Sequence, residues 1–282
     1  MNQTPGFATR LASSVAQRGP LCLGIDPSPE LLAQCGLPDS AEGLWAFGNL
    51  LLEAARFQVG LIKPQMAYFE RHGSAGIAVL ERLLALARAE QVLVLLDGKR
   101  GDIDATALAY AQAYFEPSRP LACDALTVHA YLGLSAFARG MDLMRRHGCG
   151  MFVVVRSSNG EGARTQTALC PDGLSVAEAL ADEIGALNAK FADCSLGAVI
   201  GATNHDAGTL AARMPGAWLL APGVGAQGAT MADLGRRFGV AASRVLPSVS
   251  RGVFEKGSQA AQIAAAIDAL REQALVLQRG TA

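Results

Sequence analysis

The sequence predicts an α/β fold: a closed (β/α)8 barrel (TIM barrel), one domain over residues 1–282, with an N-terminal helix. Three observations predict it. Short apolar runs of strand character alternate eight times with amphipathic, helix-like stretches in one continuous series. The length, 282 residues, is close to the roughly 250 typical of this barrel. No Pro/Ser-rich linker divides the chain, and the glycine fingerprint of an open doubly wound sheet is missing after the first strand. The chain there runs Gly24-Ile25-Asp26-Pro27-Ser28-Pro29.

The elements follow in order. Apolar residues at Phe7, Leu11 and Val15 recur every fourth position, so residues 7–15 form a helix suited to covering the bottom of the barrel. Strand one, residues 21–25, precedes a helix around 43–57. Strand two, 59–62, precedes a helix around 75–90, and strand three, 92–96, precedes one around 105–114. Residues 122–128 pair with a helix at 135–146, and 151–155 with 175–191. Residues 196–200 pair with 207–213, 218–221 with 231–238, and 244–246 with a last helix at about 258–278. Between 156 and 173 the chain holds several Ser, Asn and Gly residues without periodicity. A loop of that length in a compact domain is usually functional or disordered. It follows strand five, on the face where this fold works.

The hydrophobic fraction, 51%, suits a substantial core. A net charge of -1 gives no sign of nucleic-acid or membrane-surface binding. No apolar run nears the roughly 18 residues of a membrane span, and residues 1–19 lack the apolar core of a secretory signal. Cys22, Cys35, Cys123, Cys149, Cys170 and Cys194 form no CxxC pair. Reduced thiols in a cytoplasmic protein are therefore the simplest expectation, with no metal site. Lysine is scarce. Lys63, Lys99, Lys190 and Lys256 are the only four among 24 basic residues, and two of them end apolar runs. Lysine differs from arginine in being a compact point charge able to give up a proton.

Polar candidates collect at strand ends. Asp26 ends strand one, Lys63 strand two, Asp97 and Lys99 strand three, and Thr127 and His129 strand four. Ser157 and Ser158 follow strand five, Thr203 and Asn204 strand six, Gln227 strand seven and Arg251 strand eight. The segment Asp97-Gly98-Lys99-Arg100-Gly101-Asp102 packs four charges into six residues just after Val92-Leu93-Val94-Leu95-Leu96. On an extended segment Asp97 and Lys99 share one face. Interleaved ammonium groups keep neighbouring carboxylates ionised, and Lys63 supplies a second cation. Such a network can stabilise developing charge without reorganising. Plainer readings stand beside this one. Asp102 or Asp104 can serve as a helix cap, Asp26 as a turn former, His129 as a core histidine, and the serines as ordinary loop residues.

A second constellation is Pro222-Gly223-Val224-Gly225-Ala226-Gln227-Gly228 together with Ser250-Arg251-Gly252. Glycines let the backbone approach an anion, and arginine offers a planar, bidentate donor. The loops after strands seven and eight are the common phosphate site of this fold.

The pattern Asp97-x-Lys99-Arg100-x-Asp102-Ile103-x-x-Thr106, with Lys63 one strand earlier, resembles the orotidine 5'-phosphate decarboxylase family, in its longer bacterial branch. Gly24-Ile25-Asp26-Pro27, Ile62-Lys63-Pro64-Gln65, Asp124-Ala125-Leu126-Thr127-Val128-His129 and the two glycine loops extend the resemblance over residues 21–252. It implies a catalytic set of Lys63, Asp97, Lys99 and Asp102, with Lys99 the proton donor. It implies that Asp26 contacts ribose, that Ser158 (with Ser157 adjacent) meets the pyrimidine, and that Gln227 and Arg251 grip the phosphate. It further implies a cofactor-free homodimer in which Asp102, Ile103 and Thr106 reach into the partner's site. Gly98, Asp104 and the proline-free Asn159-Gly160-Glu161-Gly162 depart from the family pattern. The expected reaction is conversion of orotidine 5'-phosphate to UMP. The alternative is a metal-dependent phosphosugar decarboxylase or epimerase on the same barrel.

Overall fold

The computed structural model describes residues 5–55, 59–191, 195–225 and 228–278. Eight parallel strands close into a barrel in chain order: β1 (Cys22–Ile25), β2 (Leu61–Pro64), β3 (Leu93–Arg100), β4 (Ala125–Val128), β5 (Gly150–Arg156), β6 (Leu196–Ile200), β7 (Leu219–Pro222) and β8 (Val245–Val249). β8 returns to β1 through Cys22 opposite Ser248 and Leu23 opposite Val249. Among the described residues, helices α1 (Phe7–Arg18), α2 (Pro29–Gln34), α3 (Ala41–Ala55), α4 (Met66–Glu70), α5 (Gly73–Ala89) and α6 (Asp104–Phe115) belong to the first half. The second half carries α7 (Ala138–Arg146), α8 (Ala163–Gln166), α9 (Val176–Phe191), α10 (Ala207–Ala212), α11 (Met231–Phe238) and α12 (Ala260–Ala274). No described helix is long and apolar enough to cross a membrane. The five described cysteines, Cys22, Cys35, Cys123, Cys149 and Cys170, are free thiols, and Cys194 lies outside the described residues.

Period-two alternation divides the strand residues between two cores. Outward positions such as Leu23, Ile62, Val94, Leu126 and Val153 pack against the helices. Inward positions such as Cys22, Leu61, Leu95, Ala125, Phe152 and Leu246 form a separate cluster, and Phe7, Leu11 and Val15 of α1 belong to it. The helix expected to cover the bottom of the barrel therefore plugs it. Phe7 meets Phe152 edge-on, with ring centroids 6.0 Å apart. Arg10 forms an ion pair with Asp124 and donates to the Gly148 carbonyl at 2.9 Å. A side chain at position 150 would collide with the plug, because a Cβ there would lie 2.4 Å from the Phe7 ring. Gly150→Ala is expected to destabilise the fold by about 1–3 kcal/mol, the usual range for overpacking, with kcat unchanged. Denaturant unfolding beside steady-state kinetics checks it.

Four stretches differ from the expected pattern. α2 and α4 occupy stretches expected to be loop. α2 has a local signal after all: the Ser28 side chain accepts the Leu31 N–H at 3.3 Å, Pro29 takes the first turn, and Glu30 adds an acid there. β3 continues through Asp97-Gly98-Lys99-Arg100 because Arg100 pairs with Val128 after a break in register. The 156–173 stretch is partly ordered as a short 3-10 turn, Gly160–Gly162, running into α8.

Candidate active site

The alternation that builds the inner core also places the polar residues. Two positions above inward Leu61 stands Lys63; above Leu95 stand Asp97 and then Lys99; above Ala125 stands Thr127; above Leu246 stands Ser248. All five line a cavity of about 330 Å³ at the C-terminal ends of the strands. Val154, Val199 and Leu220 give it an apolar wall.

Asp97 is the hub. Its Oδ2 accepts from Lys63 Nζ at 3.1 Å and from Gln65 Nε2 at 3.2 Å. Its Oδ1 accepts from Lys99 Nζ at 2.5 Å and from Thr127 Oγ1 at 2.8 Å. Lys63 Nζ lies 3.8 Å from Asp26 Oδ1 on the other side. Lys63 is only 6% exposed and Asp97 8%. Burial opposes charge on both, yet both stay charged. Lys63 and Lys99, with the hydrogen bonds, outweigh the desolvation of Asp97 and hold its carboxyl well below the usual range. Desolvation of Lys63 is likewise outweighed by Asp26 and Asp97, so its ammonium is held above its usual value. Beneath them burial pushes the Cys22 thiol up to about 12, which makes it inert packing.

Asp97 and Lys99 share the cavity, as the spacing predicts, but the path between them is not plain strand. Lys99 has φ +45°, in the left-handed region, and the register of β3 on β4 breaks between Leu96 and Arg100. Gly98 faces the helical layer, where an added Cβ would sit 3.1 Å from Leu126 Cδ1.

Across the cavity lie the glycine loops. Gly223, Gly225 and Gly228 all have left-handed φ values. Gln227 lies outside the described residues. Arg251 opens the 3-10 turn Arg251–Phe254 after β8, lines the cavity and remains exposed. Gly24 lets β1 approach that loop, since a Cβ there would lie 2.8 Å from Ser250 Cβ. Asp26 is thereby brought to the cavity wall beside Ser250 and Arg251.

Ser157 and Ser158 both line the cavity. The Ser157 hydroxyl is engaged by Gln166, whose Nε2 donates to it at 2.9 Å. Ser158 is set by a close backbone approach to Gly201, where a Cβ would fall 2.6 Å from Ser158 Cα. Asn204 Nδ2 donates to the Ser157 carbonyl at 3.0 Å and so pins the same loop.

A family model described as "Orotidine 5'-phosphate decarboxylase / HUMPS family" matches residues 19–266. The chain belongs to that family. An orotidine 5'-phosphate decarboxylase from Salinispora arenicola is 49% identical over 93% of this chain and 94% of its own length. One from Streptomyces coelicolor is 46% identical over the same shares. A crystal structure of a candidate orotidine 5'-phosphate decarboxylase from Streptomyces avermitilis superposes with a TM-score of 0.92 at 42% identity, covering 99% of this chain and 98% of that one.

In this decarboxylase-family chain one expected group stands apart from the cavity. Asp102, Ile103 and Thr106 do not line it. Asp102 Oδ1 accepts the Ile103 N–H at 2.8 Å, Ile103 is 50% exposed, and Thr106 is exposed. Neither Asp102 nor Asp104 caps α6. Ile103 holds the cap position without a side-chain bond, and Asp104 is the first helical residue, with φ +48°. His129 is not a core histidine either. It is exposed at the rim, where partial desolvation and then the Lys99 charge hold it below its usual value. Sequence reasoning missed two supports. Gln65 was legible as the next inward position after Lys63. Gln166 gave no signal, because it sits on a single helical turn in an aperiodic stretch.

Proposed function

We propose that the chain decarboxylates orotidine 5'-phosphate to UMP without a cofactor, in pyrimidine biosynthesis in the cytoplasm. A single barrel domain would carry the reaction, working as a homodimer. The observation that carries this reading is the Lys63–Asp97–Lys99 network at one side of a cavity whose other side presents Arg251 and the glycine loop. Breaking the bond from C6 of the pyrimidine to its carboxylate leaves the electron pair on C6. The Lys99 ammonium faces that developing charge, then delivers its proton to C6 and regains one from water. Asp97 holds both lysines and adds negative charge where the carboxylate departs.

Asp26 takes the ribose hydroxyls, Ser158 the pyrimidine, and Gln227 and Arg251 the phosphate. The Ser158 hydroxyl, without a hydrogen-bond partner among the described residues and beside a Ser157 already engaged by Gln166, supports that choice between the two serines. Asp102, Ile103 and Thr106 complete the partner's site. Their position outside the cavity supports this, as does the exposed apolar rim of Ile103, Tyr131 (87% exposed) and Leu132 (53% exposed) on the loops after β3 and β4. The metal-dependent phosphosugar alternative is disfavoured, because both Asp97 oxygens are already taken by protein donors.

Purified protein treated with EDTA is expected to convert orotidine 5'-phosphate to UMP at the untreated rate. A need for added divalent metal, or turnover of a phosphosugar in its place, would sink the proposal.

A further inference from the structure

Thr127 has no place in the reaction scheme above, yet it is the most deeply buried neutral polar residue lining the cavity. It is 1% exposed. Its Oγ1 accepts the backbone N–H of Lys99 at 3.0 Å and donates to Asp97 Oδ1 at 2.8 Å. The same Asp97 oxygen takes the Lys99 ammonium at 2.5 Å. Main chain of Lys99, hydroxyl of Thr127, carboxylate of Asp97 and side chain of Lys99 therefore form a closed ring.

The chemistry fixes the direction of every bond in that ring. A backbone N–H can only donate, so the hydroxyl must accept there. An ionised carboxylate can only accept, so the hydroxyl proton must point to Asp97. Thr127 is thus held in one state, and it holds two groups in turn. The ring also stands where the sheet does not. Leu95 pairs with Ala125 and Leu96 with Leu126, and pairing resumes only at Arg100 opposite Val128. In the gap Lys99 adopts φ +45°, a conformation a non-glycine residue keeps only when its surroundings impose it. The Thr127 hydroxyl supplies the missing ladder bond for that residue.

We infer that Thr127 is a positioning residue for the decarboxylation, locking the strained backbone of Lys99 so that its ammonium points at the reacting carbon. The inference rests on the proposed reaction. Thr127→Val keeps the branched shape and removes both hydrogen bonds; Thr127→Ser keeps the hydroxyl and loses a methyl. Three quantities are measured for each: decarboxylation kinetics, UMP affinity, and exchange of the UMP C6 hydrogen for deuterium in heavy water. That exchange needs the Lys99 proton but no leaving carboxylate.

For Thr127→Val, kcat and the exchange rate are expected to fall together by about 10- to 100-fold, the worth of one hydrogen bond to a charged network. KM and UMP affinity hold, and Thr127→Ser recovers most of the rate. Wild-type kcat in Thr127→Val, or an equal deficit in Thr127→Ser and Thr127→Val, overturns the inference while wild-type turnover leaves the decarboxylase reading intact. Absence of UMP formation by the wild type overturns both. If Thr127→Val does not fold, Thr127→Ala beside Thr127→Ser isolates the same hydroxyl. Equal rates in that pair likewise overturn the inference.

Discussion

Lys99→Ala lowers the kcat for UMP formation by about ten-thousand-fold or more, while the protein remains folded and still binds UMP. The size follows from two roles lost at once: the cation facing the charge that develops at C6, and the proton that quenches it. Folding survives because the Lys99 side chain is 40% exposed and Asp97 keeps Lys63, Gln65 and Thr127 as partners. Steady-state kinetics, UMP titration and thermal melting check the three parts. The same variant tests the dimer. Mixed under subunit exchange with Asp102→Ala, it is expected to regain activity, because one hybrid site then holds an intact Lys99 beside the partner's intact carboxylate. Verified hybrids without recovery would put Asp102 in its own subunit's site.

The largest loss of stability is expected for Asp97→Ala. It leaves the Lys63 ammonium buried, with Asp26 at 3.8 Å as its remaining carboxylate. Stranding one member of a buried pair costs about 3–5 kcal/mol. In a protein of this size that is a fall in Tm of roughly 6–20 °C. Adding Lys63→Met removes the stranded charge and is expected to recover much of the loss, at the cost of all activity. The pH dependence follows from the directions of the two shifts. Asp97 is depressed, so its contribution is present above the unfolded carboxyl value of about 3.9 and is lost as pH falls through the lower folded value. Lys63 is raised, so its contribution is present below about 10.4 and is lost as pH rises through the higher folded value. The gap in Tm between wild type and Asp97→Ala should therefore be constant from about pH 5 to 9. A gap that closes inside that window would mean that one partner is neutral there.

Most of the barrel was legible because its signal is local: eight buried runs, each followed by a helical stripe. Lys63, Asp97 and Lys99 were legible for a related reason, since charges at the top of an apolar strand must face the mouth once the alternation is set. Other features depend on contacts distant in sequence. The left-handed turn at Lys99 comes from Thr127, one strand away, and nothing in residues 97–102 announces it. The hold of Gln166 on Ser157 depends on how an aperiodic segment folds back. The extension of β3 to Arg100 depends on Val128. The assignment of Asp102 to a partner's site came from resemblance alone, because a single chain contains no neighbour against which to read it.

The helix that seals the barrel has a consequence for how the chain is made. α1 leaves the ribosome before the eight barrel strands, carrying Phe7, Leu11 and Val15, yet Phe152, the partner of Phe7, lies on β5. At roughly 5–20 residues per second, Phe7 waits about 7–30 s for that partner. During that interval an amphipathic segment is exposed beside an unfinished parallel sheet, whose open edges are themselves slow to pair and prone to aggregate. The plug is made first and seated late, so the yield of folded enzyme should depend on what shelters the nascent N-terminal helix until the fifth strand emerges.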